Sequence, residues 1–170
     1  AEIVERIAAV DAKASAAMWI GTFHAFGLDL LRRFYGELDL PPDARMLDRT
    51  EAVELIENEF PRLGLVHYRD IYDPTKIISD LLAAISRAKD EVVFADEYER
   101  LAKEMQSSAS EEERIAGDKA AEVARVYHAY EKLKRSAQAV DFGDLVSLPV
   151  RLLEGSQEIT HALRQVHQHV

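Results

Sequence analysis

The sequence predicts a mainly α-helical protein with strand fragments only at residues 17–20 and near 166–170. Three observations lead there. Apolar residues recur at helical spacing through most of the chain, capping signals stand in front of several of those stretches, and only two short runs have strand character.

Glu2 to Ala14 reads as a helix with Ile3, Ile7 and Val10 on one face. No cap precedes it, so the start is expected to be cut from a longer protein. Trp19-Ile20-Gly21-Thr22-Phe23-His24-Ala25-Phe26-Gly27 then forms a strand-to-helix elbow. Met18 to Ile20 have the bulk of a buried strand, Gly21 permits a tight change of direction, and Thr22 can cap the N–H groups of the next turn. That helix runs to about Tyr35, ends near Gly36, and gives way to an extended connection at Pro41-Pro42. Asp48 with Glu51 three residues on opens a helix through about Phe60, with Ala52, Val53, Ile56 and Phe60 apolar.

Asp73-Pro74 is a cap followed by proline at the first helical position, and Ile77, Ile78, Leu81, Leu82 and Ile85 form a wide apolar stripe behind it. Phe94 to Gln106 repeats the pattern with Tyr98, Leu101 and Met105 inward. Ser107 to Ser110 break the pattern, and Ser110 with Glu113 starts a long helix to about Ala137, its buried face Ile115, Val123, Val126, Tyr127, Tyr130, Leu133 and Ala137. Asp141 caps a helix carrying Leu145, Leu148 and Leu152 despite Pro149. Gly155-Ser156 separate that helix from Gln157 to about Arg164, and Val166 to Val170 read as the start of a strand.

Composition narrows the chemistry. The 170 residues contain no cysteine, which excludes disulfides, thiolate zinc sites and cysteine nucleophiles, and a cytoplasmic setting is expected. No apolar run approaches a membrane span, so no membrane partner is expected. The net charge of −10 argues against a general electrostatic grip on nucleic acid, and any polyanion contact has to be local. Residues 91–120 hold nine acidic and four basic side chains, whereas residues 121–140 hold two acidic and four basic.

None of the seven glycines begins a GxxxxGK[ST] phosphate loop. Val92-Val93-Phe94-Ala95-Asp96-Glu97 imitates a strand ending in a magnesium-binding pair, but Tyr98, Leu101 and Met105 continue at helical spacing, which puts the acidic pair in a first helical turn. His167 and His169 would share one face of a strand, a spacing compatible with metal, yet no third ligand can be named and no metal site is assigned. His67, His128 and His161 are isolated, and no Ser/His/Asp set or catalytic carboxylate pair stands out.

At the elbow, Phe23 offers a flat apolar face and His24 a hydrogen-bonding ring, the group types that single-stranded nucleic acid engages. Phe23, Phe26, Leu30 and Phe34 also share one helical face, so packing in the core competes with binding there. Arg125, Lys132, Lys134 and Arg135 read as a solvated helix face, with a phosphate-tracking surface as the competitor. Arg87 and Lys89 suit a helix C-terminal dipole.

Gly21-Thr22-Phe23-His24, then Ile85-Ser86-Arg87-Ala88-Lys89-Asp90-Glu91, then Val140-Asp141-Phe142-Gly143-Asp144-Leu145, in that order, resemble the UvrD/Rep family of superfamily 1 DNA helicases. The resemblance covers nearly the whole chain. It implies a helical 1B-like insertion domain at residues 41–138, flanked by a partial RecA-like 1A subdomain at 1–40 and a return to 1A at 139–170, ending before the DExx motif. The short strands at both ends would be remnants of the RecA-like α/β sheet.

The resemblance also implies Thr22, Phe23 and His24 as contacts to single-stranded DNA, with Arg87, Lys132 and Arg135 as further candidates. It implies a parent that is an ATP-dependent 3′–5′ DNA helicase using ATP and Mg²⁺, with single-stranded DNA, a duplex junction and the remaining helicase domains in cis as partners. Neither the phosphate-loop lysine nor the DExx carboxylates are present, so no catalytic residue is carried over and the chain alone is expected to be inactive. A second reading, a helical protein-interaction module without a nucleic-acid role, rests on the acidic balance and the apolar helix faces.

Overall fold

A computed structural model of the chain describes residues 2–13, 18–69 and 73–167. Among the described residues eight α-helices carry the fold: α1 (Glu2–Val10), α2 (Phe23–Arg33), α3 (Arg49–Glu57), α4 (Pro74–Asp90), α5 (Ala95–Gln106), α6 (Glu111–Ser136), α7 (Asp144–Gly155) and α8 (Gln157–Val166). Two two-residue strands, β1 (Arg45–Met46) and β2 (Ala139–Val140), pair in parallel with Arg45 opposite Ala139 and Met46 opposite Val140.

The local signals act as their chemistry predicts. Asp48 and Glu51 form a reciprocal capping box, Asp48 Oδ1 accepting from Glu51 N–H at 2.9 Å and Glu51 Oε2 from Asp48 N–H at 2.9 Å. Asp73 accepts from Lys76 N–H ahead of Pro74, and Ser110 accepts from Glu113 N–H, but the expected box is not closed there, because the Glu113 carboxylate takes the Ser108 hydroxyl and Ser110 N–H donates to Ser108 Oγ. Asp96 and Glu97 sit in the first turn of α5, as helical periodicity requires.

The strands depart from expectation. Residues 18–20 are not a strand and Val166 closes α8, while residues 17 and 168–170, with His169, lie outside the described residues. The sheet forms instead where the chain leaves and re-enters the helical excursion. A parallel pair needs a long crossover, and residues 47–138 supply it. Leu47 N–H donates to Val140 O at 2.8 Å and Arg45 N–H to Gln138 O at 3.1 Å, so the ladder is anchored beyond its two paired residues.

Two apolar clusters result. The larger joins α3, α4, α5 and α6 through Ile56, Ile78, Leu81, Ile85, Val126 and Tyr127. The smaller joins α2, β2 and α7 through Leu31, Val140 and Leu145. On α5 and α6, Leu101, Met105 and Ile115 are exposed rather than inward, because the helices close on small residues. A Cβ at Gly117 would lie 2.5 Å from Gln106 N, and Ala102 is the buried residue of α5 at this contact. Ile3 and Val10 of α1 are likewise exposed, so its apolar face is not covered.

Glu122, buried on α6, holds the 66–68 loop by accepting from the N–H groups of Val66, His67 and Tyr68 at 2.8–3.2 Å. At the end of α4, Val93 N–H bonds Ala88 O and Val92 N–H bonds Lys89 O, a Schellman motif. Its left-handed position (φ 58°) is filled by Val92, where glycine is the usual occupant.

The closest approach is between α2 and α7, where a Cβ at Gly27 would meet Leu145 O at 1.7 Å. Gly27→Ala is expected to lower unfolding free energy by about 3 kcal/mol, the upper part of the overpacking range. Gly36→Ala, with open space around its Cβ, should stay within about 0.5 kcal/mol of the parent when both variants are compared by urea titration.

Candidate nucleic-acid interface

Thr22 sets the elbow. Its backbone is extended (φ −84°, ψ 161°) and its Oγ1 accepts from Ala25 N–H at 3.2 Å, so the hydroxyl caps α2 as its position predicts. The competition between core and surface resolves residue by residue along the apolar face. Leu30 is fully buried and Phe26 and Phe34 are half-buried, but Phe23 is 79% exposed. Among the described residues nothing packs over this ring at the first position of α2.

His24 is half-buried and lies flat on Phe142, ring centroids 4.0 Å apart and planes 18° from parallel. Phe142 is 62% exposed, so the stack covers one face of its ring and leaves surface open. On the other side of the elbow Trp19 meets Phe26 edge-on at 5.2 Å, and Phe26 meets His167 edge-on at 5.3 Å.

The position of Phe142 is imposed by its neighbours. Asp144 N–H donates to Asp141 Oδ1 at 3.0 Å and Asp141 N–H to Asp144 Oδ2 at 2.8 Å, a reciprocal bracket that closes the turn between β2 and α7. Both carboxylates face inward onto two buried lysines. Lys89 Nζ lies 2.7 Å from each of Asp141 Oδ2, Asp144 Oδ1 and Glu131 Oε1. Lys134 Nζ lies 3.0 Å from Glu131 Oε1 and 3.1 Å from Asp141 Oδ2, and also pairs with Asp144.

Each lysine is only 2% exposed. The tyrosine rings add to their neutralisation, Tyr130 lying 5.6 Å from Lys89 Nζ and 5.3 Å from Lys134 Nζ. Burial alone would lower the Lys89 pKa, but Asp144, Asp141 and Glu131 together hold it well above its ordinary value. Burial would likewise raise Asp141, and the two ammonium groups instead draw it down to about 2. Gly143 belongs to this arrangement, since a Cβ there would sit 2.8 Å from Lys89 Cδ.

Glu131, Asp141 and Asp144 could in principle converge on a metal ion. Two lysine ammonium groups already fill the space between them, so their donor capacity is spent on protein cations.

The structure therefore divides the predicted basic residues. Lys134 is not on a solvated face, because it is a member of the buried cluster. Arg125 donates to the carbonyls of Leu63 and Gly64 at 3.2 Å and holds a loop. Lys89 is an ion-pair partner rather than a dipole-facing surface residue. Lys132 and Arg135 remain exposed on α6, and Arg87 is exposed on α4, where it and Phe142 line one cleft.

The sequence reading missed Phe142 as a surface residue. The available signal was its place out of register with the Leu145, Leu148 and Leu152 stripe, between two aspartates that cap a turn.

Three segments far apart in sequence thus converge on one turn. Residues 21–27 reach it through His24 and Gly27, and residues 85–91 reach it through Lys89. The UvrD/REP helicase N-terminal domain profile matches residues 1–170. The chain belongs to that family.

Among its relatives, the ATP-dependent DNA helicase PcrA of Leuconostoc citreum is 28% identical over 99% of this chain and 20% of its own length. The ATP-dependent DNA helicase UvrD1 of Mycobacterium bovis is 29% identical over 100% of this chain and 20% of its own. The ATP-dependent DNA helicase Rep of Escherichia coli is 25% identical over 93% and 21%. The chain spans about a fifth of the length of these relatives. Among the described residues of this UvrD/REP chain, no helix is long and apolar enough to cross a membrane.

Two predictions follow from the buried cluster. Lys89→Ala leaves three carboxylates facing one ammonium and should cost about 3–5 kcal/mol in chemical unfolding. Asp141, ordinarily near 3.8 and here about 2, stabilises the fold above pH 4. That contribution, about 2 kcal/mol, should fade as the pH falls from about 4 to 2. Lys89 has the opposite sign, so its contribution is complete below its ordinary 10.5 and is lost only as the pH rises through its higher folded value. Unfolding midpoints measured across pH should therefore fall at both ends, and Asp141→Asn should shrink the acid-side step without abolishing it, because the Val66, His67 and Tyr68 N–H groups also hold the Glu122 pKa down against its burial.

Proposed function

We propose that this chain is part of an ATP-dependent, 3′–5′ DNA helicase, and that its own contribution is to hold single-stranded DNA at the α2 elbow. The observation that carries the reading is the solvent-facing aromatic group Phe23, His24 and Phe142, built on a helix N-terminus whose hydroxyl cap is in place. Bases of any sequence can stack on Phe23, while the His24 ring, the Thr22 turn and the open first-turn N–H groups meet the backbone. Arg87, near the same turn, would supply a phosphate contact, and Lys132 and Arg135 an outer one. The printed names of PcrA, UvrD1 and Rep support DNA as the substrate of the whole protein.

In this reading residues 41–138 are the 1B-like domain and residues 1–40 and 139–170 belong to 1A. The support is the two separate apolar clusters and the β1–β2 pair that lies at the crossing between them. ATP and Mg²⁺ would act in the parent, together with its remaining domains and the duplex junction. The residues of this chain do not fit either ligand. No GxxxxGK[ST] loop is present, and the convergent carboxylates are already paired with lysines. ATP hydrolysis by this chain alone is therefore not expected.

Fluorescence anisotropy with a labelled single-stranded oligonucleotide at low salt tests the reading. The chain should bind, and the Phe23→Ala, His24→Ala double variant should bind about 10-fold more weakly, the loss of one stacked base. Equal binding by the two proteins would remove the elbow from the DNA contact.

A further inference from the structure

Helix α6 outruns the helices packed on it. Val126 is fully buried in the α3–α4 cluster, and Glu122, one turn nearer the N-terminus, is buried beneath the 66–68 loop. Lys119 and Ile115 continue the same helical line, and there nothing among the described residues covers it: Ile115 is 46% exposed. A groove of about 700 Å³ opens along this stretch, lined by Ser110, Glu111, Glu112, Ile115, Ala116 and Lys119. The 66–68 loop marks the end of that line and carries Val66, 76% exposed. Glu122 holds the loop through its backbone N–H groups, and Arg125 holds the Leu63 and Gly64 carbonyls before it. The Val66 side chain therefore takes no part in fixing the loop that displays it.

The groove is acidic as well as apolar. Glu111 and Glu112 are exposed, and among the described residues no ion pair holds either. Lys119 is the single basic side chain in the lining. The other basic residues of 91–120 are engaged, Arg100 with Glu97 and Glu104, Lys103 with Glu99, and Arg114 with the carbonyls of Ser108 and Ala109.

We propose that this groove docks an amphipathic helix of a partner protein, apolar along one face and flanked by lysine or arginine. The proposal is independent of the DNA-binding reading, since it uses none of the elbow residues. Charge complementarity selects the occupant: the acidic rim repels a polyanion, and a second copy of this chain would set the same acids against each other. Seven residues of α6 separate Ile115 from Glu122, about 10 Å along the axis, which matches two anchors one i, i+7 step apart on a docked helix. The Lys119 stem adds apolar length between them while its ammonium stays in water.

The probe is a model helical peptide of leucine and lysine with leucine along one face, titrated at low salt while the methyl resonances of Val66, Ile115 and Ala116 are followed against those of Ile159 and Leu163 on α8. Saturable shifts confined to the groove methyls are expected at roughly 10–100 μM. A scrambled isomer, equal in composition and charge, should bind at least about 10-fold more weakly, and Ile115→Ser should cost about 10-fold. The Glu111→Gln, Glu112→Gln double variant should weaken binding about 3-fold and flatten its salt dependence. All three side chains are exposed, and circular dichroism melts matching the parent confirm that the variants fold.

No binding, equal binding of the scrambled peptide, or shifts unchanged by Ile115→Ser overturns the proposal. So does a concentration-dependent shift of the Ile115 methyl without peptide, accompanied by dimer in sedimentation, which assigns the groove to a second copy. The same titration on the longer parent makes the last distinction. If Ile115 responds there, the groove is open to a partner; if it does not, another domain of the parent occupies the groove and the proposal falls.

Discussion

Two ammonium groups buried against three carboxylates are the constraint on which the rest of this structure depends. Removing a lysine from water costs several kcal/mol unless counter-charges are held at contact distance. Lys89 and Lys134 meet that condition only while the ends of α4 and α6 and the turn before α7 keep one arrangement. Movement of any of these by a few ångströms would leave a charge buried without a partner. The cluster therefore ties both ends of the helical excursion to the returning chain. It does so at the place where β1 and β2 supply only a short ladder.

The same cluster determines what the surface displays. Asp141 and Asp144 bracket the turn and point inward, which leaves Phe142 between them no inward path. Gly143 cannot carry a side chain because the Lys89 stem passes beneath it, so the turn has no freedom to rotate Phe142 away. His24 then stacks on the exposed ring, held in register by the contact of Gly27 with the Leu145 carbonyl. An aromatic surface that would otherwise be costly in water is thereby maintained by interactions inside the protein. Packing among the described residues does not cover Phe23 and Phe142, and that exposure is what the proposed stacking contact would use.

How much of this could be read from the chain depends on the range of the interaction. Asp48 with Glu51, Asp73 with Pro74 and Ser110 with Glu113 were legible because capping acts over three residues and needs no tertiary partner. The ion cluster was not, since Lys89 meets Asp141 and Asp144 across more than fifty positions and a lysine late in a helix has a simpler local explanation. Lys134 was misplaced for the same reason, its apolar surroundings being supplied by other helices. Leu101, Met105 and Ile115 were assigned inward by periodicity, but the α5–α6 contact is set by Gly117 and Ala102, whose small size periodicity does not weigh. The strands failed differently. Bulky residues at 18–20 look like sheet, whereas the pairing of Arg45–Met46 with Ala139–Val140 depends on where the chain returns.

These assignments also change what the charge balance implies. The acidic excess is concentrated in residues 91–120, on α5 and the start of α6. Of the four basic residues in 121–140, Lys134 is neutralised internally and Arg125 is bonded to backbone carbonyls, so the basic stretch offers a polyanion only half of its formal charge. A broad electrostatic track is thus less available than the sequence suggests. What remains is compact: stacked rings at the turn, with Arg49 and Arg87 in the adjoining cleft. An interface of that kind draws on base stacking and a few phosphate contacts more than on counterion release. For the single-strand contact proposed above, that balance would let a chain of net negative charge meet a polyanion at one point.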